Sequence, residues 1–398
     1  MDLTPGLRRD PAPDLDSVGQ DDALVERIHV EIDRDGPITF ARFMDLALYD
    51  PAGGYYRAAA ARPGRDGDFL TAPETHPIFG AALARGLNEV WERLGRPDPF
   101  VLREFGAGTG SLILTILERL ALDETGLEHA LRYDPIEAEP RRLEAIAERL
   151  GAVGRSDVLI KPGSAGTPMV GAIIANEVLD ALPTHRVVAR GGQLLEILTG
   201  SRGRRFIDVE ATPTTLALAE RLKTEGVDLA DGQRAEICLG LDPWIATVAG
   251  GLAGGLLLLI DYGYPARELY DPVRRRDGTL RAYLRQRVHD DPYRHVGRQD
   301  LSAHVDVTAV ERAAERAGLA HLGTTTQAEF LVGLGMQDLL QAIQADPGTT
   351  LEAYLELRSA LMRLIDPTAM GRFRVMGFGR VWPDGPPLAG FAYRLPHR

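Results

Sequence analysis

Glu104 and three alternating glycines stand together in "EFGAGTGSL", residues 104–112. Glycine leaves backbone bare enough for a ligand to touch and admits dihedrals that other residues resist. What the stretch lacks narrows the ligand. A dinucleotide turn needs G-x-G-x-x-G, whereas here Ser111 follows Gly110 and the third glycine comes one place early. A Walker loop ends in Gly-Lys-Ser/Thr, and this stretch has no lysine. Glu104 would face a pyrophosphate poorly and an ammonium well. S-adenosylmethionine carries an ammonium and a ribose and no phosphate. The turn Gly106-Ala107-Gly108-Thr109-Gly110 is therefore expected to hold that cofactor, with Glu104 toward the ammonium. A ribose needs a paired acceptor at the end of the next strand. "YDPIEAE" offers Glu137, with Asp134 as second choice. A helix N-terminus would also suit a carboxylate at Glu137; the order strand, glycines, strand favours the ribose role.

A second group follows an apolar run in "IIANEVLDALP": Asn176, Glu177 and Asp180. In an open parallel sheet such a strand end borders the ligand crevice, so Asn176 is expected beside the cofactor. Glu177 and Asp180, three apart, are expected on one face of a helical turn, as the carboxylates that orient a methyl acceptor. A cap at Asn176 with a solvated Asp180 is the plainer alternative. Asp261 and Tyr262 end another apolar run in "LIDYGYP". His185 and His304 are the candidate acceptors of a released proton. "RVHDDPYRH" gathers His289, Asp290, Asp291 and His295 without a spacing such as H-E-x-x-H. A hydrogen-bonded loop is expected there, and no metal.

These residues need strands to position them. "FVLREF", "RYDPIEA", "GAIIANEV" and "LLLLIDYG" read as strands, and "LILTILERLA", "PRRLEAIAERL" and "DPWIATVAGGLAG" as helices. Strand–helix alternation with wholly apolar strands predicts a parallel sheet covered on both faces. Short runs parted by glycine turns in "HRVVARGGQLLEILTGSRGRRFIDVEAT" predict an inserted β-meander. "HLGTTTQ" and "FRVMGFGRV" are expected as two further strands, with helices from about Ala328 to Arg363 between them. Two helices open the chain, the second capped by Thr39 and ended by Pro51. The expected divisions are a disordered tail over 1–21, a helical segment with a cofactor-covering loop over 22–95, core halves over 96–185 and 241–398, and the meander with a helix over 186–240.

The 398 residues hold 57 Asp+Glu against 45 Lys+Arg, a formal charge of −12. That balance argues against a nucleic-acid partner, which calls for a basic face. The longest apolar run, Leu256 to Ile260, is too short to cross a bilayer, so no membrane insertion is expected. Cys238 stands alone, which excludes an intrachain disulfide and fits a cytoplasmic location. The opening residues lack the apolar centre of a secretion signal and the acid-poor composition of a transit peptide.

Taken in order, "FMDLALYDPAGGYY", "GDFLTAPETHPIFG", "EFGAGTGSL", "ANEVLDALPTHRV", "LLLIDYGYP", "GTLRAYLRQRVHDDPYRHVGRQDLSAHVD" and "TTQAEFLVGLG" resemble the MidA-like class I methyltransferases, from about Val25 to Phe391. Mitochondrial members of that family are respiratory complex I assembly factors that dimethylate a protein arginine symmetrically. The resemblance implies an α/β fold: a seven-stranded, Rossmann-like class I methyltransferase sheet with N-terminal helices and an inserted β-meander and helical substrate region. It implies S-adenosylmethionine as cofactor and a protein substrate with an exposed arginine, such as a respiratory-chain subunit. It also implies that "GDFLTAPE" folds over the cofactor, bringing Asp68, Phe69, Thr71 and Glu74 near the site. "IKPGSAGTP" has no acidic or aromatic residue for the adenine, and that contact is left open. Val178 and Leu179 stand where bulkier aromatics are common in the family. A non-enzymatic assembly scaffold and a small-molecule methyltransferase are the alternatives.

Overall fold

The computed structural model describes residues 18–57, 71–160, 167–285 and 287–395. Helices α1 (Asp22–Asp35) and α2 (Phe40–Tyr49) open the chain. The Thr39 hydroxyl accepts from the Arg42 N–H at 3.1 Å, which caps α2. A single turn of helix, Ala72–Thr75, leads to α3 (Ile78–Arg93). The alternating series follows: β1 (Phe100–Phe105), α4 (Ser111–Asp123), β2 (Leu131–Ile136), α5 (Pro140–Ala152) and β3 (Met169–Asn176). Next come β4 (His185–Arg190), β5 (Gln193–Arg202), β6 (Arg205–Ala211), α6 (Ala217–Glu225) and β7 (Arg234–Ile237). The chain then forms α7 (Leu241–Gly250), β8 (Leu252–Asp261), α8 (Val307–Arg316) and β9 (Ala320–Thr326). Helices α9 (Gln327–Gly333), α10 (Met336–Ala345) and α11 (Leu351–Ile365) precede β10 (Arg374–Arg380).

The main sheet runs β9-β10-β8-β3-β1-β2. β2, β1, β3 and β8 are mutually parallel, and β10 lies antiparallel between β8 and β9. Successive side chains of a strand point to opposite faces, and β8 shows why its run is apolar throughout. Leu256, Leu258 and Ile260 pack under α3, α4 and α9, while Leu257 and Leu259 pack under α7 and α8. Covering both faces forbids polar alternation. Six strands form this sheet among the described residues, where seven were expected. Beyond β2 a single parallel bridge, Tyr133 to Leu159, stands where a further strand would extend the sheet.

The chain leaves β1 for β2 on one side and returns to β3 on the other. This is the switch point at which open α/β sheets leave a crevice. A second sheet, built on the meander, orders Ile38–Thr39, β5, β4 and β7, with β6 on the outer edge of β5. The Ile38–Thr39 strand pairs with Thr199 and Leu198, so the N-terminal helices and the meander share one apolar cluster, which includes Phe40, Phe43, Phe206 and Ala181. That cluster carries α2 to the mouth of the crevice.

Candidate active site

Gly106, Gly108 and Gly110 all have positive φ (67°, 58° and 72°), a region that side chains resist. The turn is tied at both ends. The Gly106 N–H donates to the Ile136 carbonyl at 2.9 Å, and the Gly110 N–H to Ala107 at 2.9 Å. At Gly106 a Cβ would also meet Val178 Cγ2 at 2.9 Å. Glu137 reaches back from the end of β2: its Oε1 accepts from the Gly108 N–H at 2.5 Å and its Oε2 from the Ala138 N–H at 3.1 Å. Arg142 lies 3.5 Å from Oε2. Glu104, the last residue but one of β1, is buried and accepts from the Tyr133 hydroxyl at 2.6 Å. Burial pushes its carboxyl up to about 8, against the pull of Tyr133.

After β3 the chain does not form the expected helical turn. Glu177 takes φ +54°, a strained value of the kind that gathers at functional sites. Asp261 holds the residues that follow. Its Oδ2 accepts from the N–H groups of Val178 (3.2 Å), Leu179 (2.8 Å) and Asp180 (3.3 Å), and its Oδ1 from Tyr262 (2.8 Å). The strand end thus points Glu177 one way and Asp180 the other. Glu177 lines the cleft and accepts from the Ala72 N–H at 3.2 Å and the Asn176 amide at 3.1 Å. Burial first, then the Asp180 charge, pushes its carboxyl up to about 8. Asp180 sits behind, buried, with the Tyr262 hydroxyl donating to it at 2.6 Å.

The cleft encloses about 360 Å³ and is lined by every residue from Glu104 to Thr109, by Glu137, Asn176 and Glu177, and by Thr71 and Glu74 from above. Two buried oxygens on its walls, Asn176 Oδ1 and Glu74 Oε2, lack a partner among the described residues. Burying such acceptors unpaired is costly, so the cleft asks for a ligand rich in N–H or O–H donors. An ammonium and a ribose meet that demand, and the donor set fits S-adenosylmethionine.

Of the other residues singled out in the sequence, Gly110 is packed under Ile146, and Asp134 pairs with Arg103 at 2.7 Å within the sheet. That pairing removes Asp134 as the alternative to Glu137. Asp68 and Phe69 lie outside the described residues. The two histidines are a correction. His185 is on β4, 2.7 Å from Glu196. His304 packs against the rings of Tyr262 and Tyr264, where burial lowers its pKa to about 3. Neither lines the cleft. Sequence reasoning missed Tyr49, Tyr56, Arg142 and Trp244 as lining residues. The tyrosines flank the Gly/Pro loop in "LYDPAGGYY", and that flanking was the available signal. Trp244 is half-buried, edge-on against Phe105 (5.5 Å), and reads from sequence as plain helix core.

A family model described as "Putative S-adenosyl-L-methionine-dependent methyltransferase" matches residues 82–325. The chain belongs to that family, and S-adenosylmethionine is its cofactor. A crystal structure of a Burkholderia thailandensis protein bound to S-adenosyl-homocysteine superimposes with a TM-score of 0.85 at 32% identity, covering 96% of this chain and 97% of that one. A curated relative from Drosophila melanogaster, named protein arginine methyltransferase NDUFAF7 homolog, mitochondrial, is 28% identical over 93% of this chain and 89% of its own. The Homo sapiens protein arginine methyltransferase NDUFAF7, mitochondrial, is 25% identical over 87% and 81%. These names overturn the cytoplasmic expectation. Its basis was a lone cysteine, and one thiol excludes an intrachain disulfide in any compartment.

Proposed function

We propose that this methyltransferase acts on a guanidino nitrogen of a protein arginine, and that a respiratory-chain subunit is among its substrates. One observation carries the reading: the carboxylate at the cleft wall, Glu177, has no cation paired to it among the described residues and is pushed up to about 8 by its burial. A buried acid in that state favours a cationic ligand, because a neighbouring positive charge restores its ionised form. The names of the curated relatives support the same choice.

When bound, S-adenosylmethionine supplies a methyl group already activated by its sulfonium. The chain's own residues would do the rest. The bare backbone from Gly106 to Thr109 gives room, Glu137 would accept from ribose hydroxyls, and Glu104 with Asn176 would take the ammonium end. Glu177 accepts from the guanidinium edge, which orients one nitrogen toward the methyl group. As the nitrogen is methylated it loses a proton, and Glu177 is the carboxylate at hand to receive it. Asp261 acts earlier, by holding the 177–180 backbone so that Glu177 stays aimed. Incubating the protein with labelled cofactor and a mitochondrial extract, then hydrolysing the protein fraction, should yield labelled methylarginine. Label confined to the low-mass fraction would instead identify a small-molecule methyltransferase.

A further inference from the structure

Two aromatic side chains that the transfer itself does not use stand in the cleft. Tyr49 ends α2 and Tyr56 lies in the single turn Tyr55–Arg57; both line the cleft beside Glu177, Val178 and Ala181. Their rings stack with centroids 5.5 Å apart and planes 24° apart, and Tyr55 braces Tyr56 edge-on at 5.1 Å. Both hydroxyls are engaged. Tyr49 donates to the Ala181 carbonyl at 3.0 Å, and Tyr56 to Asp300 Oδ1 at 2.8 Å. With the hydroxyls tied down, ring surface is what these residues present to a ligand.

The charged groups that act on these two rings are carboxylates. Asp180 and Asp300 act on both rings, and Asp45 on Tyr49. Glu177 shares the lining. Among the described residues, cation–ring contacts fall on Trp382, Trp91, Phe40 and Tyr264, so no internal guanidinium is stacked on Tyr49 or Tyr56. Among the described residues, the one arginine lining the cleft, Arg142, lies against Glu137.

We propose that Tyr49 and Tyr56 form an aromatic wall that selects a flat, delocalised cation, the arginine guanidinium, over a lysine ammonium as methyl acceptor. The inference rests on the protein-arginine reading above and adds the residues that make the choice. A guanidinium is planar and weakly hydrated; it stacks its face on a ring while its edge donates to a carboxylate. A ring wall beside Glu177 meets face and edge together. An ammonium has no face to stack and gives up its water reluctantly.

The test uses the full-length protein loaded with S-adenosyl-homocysteine and titrated with the peptide Gly-Arg-Gly or Gly-Lys-Gly. The arginine peptide should bind on the order of tenfold tighter than the lysine peptide. Tyr56→Leu and Tyr49→Leu should each remove most of that preference while leaving S-adenosyl-homocysteine affinity intact. Tyr56→Phe should keep the preference, because the ring remains. Equal binding of the two peptides by the unaltered protein overturns the proposal and needs no variant to fold. So does a leucine variant that retains the preference, or one that loses the cofactor product in parallel. Methylarginine formed by the unaltered protein alongside an unchanged leucine variant sinks the wall and leaves the arginine reading standing; absence of methylarginine sinks both.

Discussion

At the scale of single residues, the site is defined by acids kept from ionising. Glu104 and Glu177 both have carboxyls raised from the ordinary 4.5 to about 8, with burial as the main cause. Such a group favours the folded state while it is protonated in both states, below about pH 4.5. That contribution is lost as pH climbs through the folded value. The ligand-free protein should therefore melt at falling temperature between about pH 4.5 and pH 8, and Glu104→Gln should flatten the decline in a thermal scan. A ligand ammonium reverses the effect by ionising Glu104. Cofactor binding at pH 7 should then release a proton, seen as a buffer-dependent enthalpy in calorimetry and absent from Glu104→Gln. Glu177→Gln should leave S-adenosyl-homocysteine affinity within about twofold and cut methyl transfer by roughly a hundredfold or more. Unchanged turnover would remove Glu177 from the mechanism.

Elements decide where those acids point. The glycine turn was legible as a bare-backbone ligand site, but the reason a side chain fails at Gly106 differs from a simple filling of ligand space. A Cβ there would collide first with Val178 Cγ2 at 2.9 Å, on a backbone with φ +67°. Gly106→Val should thus displace the 177–180 segment as well as weaken cofactor affinity, while the circular dichroism of the sheet is unaltered. Normal S-adenosyl-homocysteine affinity in that variant would contradict this. Asp261 is the clamp on the same segment. Asp261→Ala frees four backbone N–H groups at a buried site, which should cost about 3 kcal/mol or more in denaturant unfolding. Spacing alone put Glu177 and Asp180 on one helical face. The positive φ at Glu177 and the hydrogen bonds that the 178–180 N–H groups donate to Asp261 separate them instead, and neither can be read from residues 176–180.

Over the whole molecule, the cleft is an assembly of parts far apart in the chain. The floor comes from the ends of β1, β2 and β3, and a side wall from Tyr49 and Tyr56, delivered by helices that pack on the meander through Phe40, Phe43 and Phe206. The net charge of −12 adds a long-range field that draws a basic partner toward this acidic, aromatic mouth. The KM for an arginine-rich peptide should accordingly rise several-fold between 50 mM and 500 mM salt, as screening shortens to a few ångströms. S-adenosyl-homocysteine affinity, for a zwitterion bound inside the cleft, should change far less. A salt-independent KM would show that the charge plays no part in substrate capture.

Local rules were enough for the six strands, the meander, the cap at Thr39, and the placement of the glycine turn between a strand and a helix. Each depends on periodicity or on neighbours within a few residues, which a linear chain carries in full. Tertiary structure alone decided which carboxylate faces the cleft, which histidines are excluded from it and which tyrosines enclose it. Those outcomes turn on contacts between residues such as Tyr49 and Ala181, or Glu177 and Ala72, more than 100 positions apart. Burial and pairing, set only when distant segments pack, determine what each ionisable group can do.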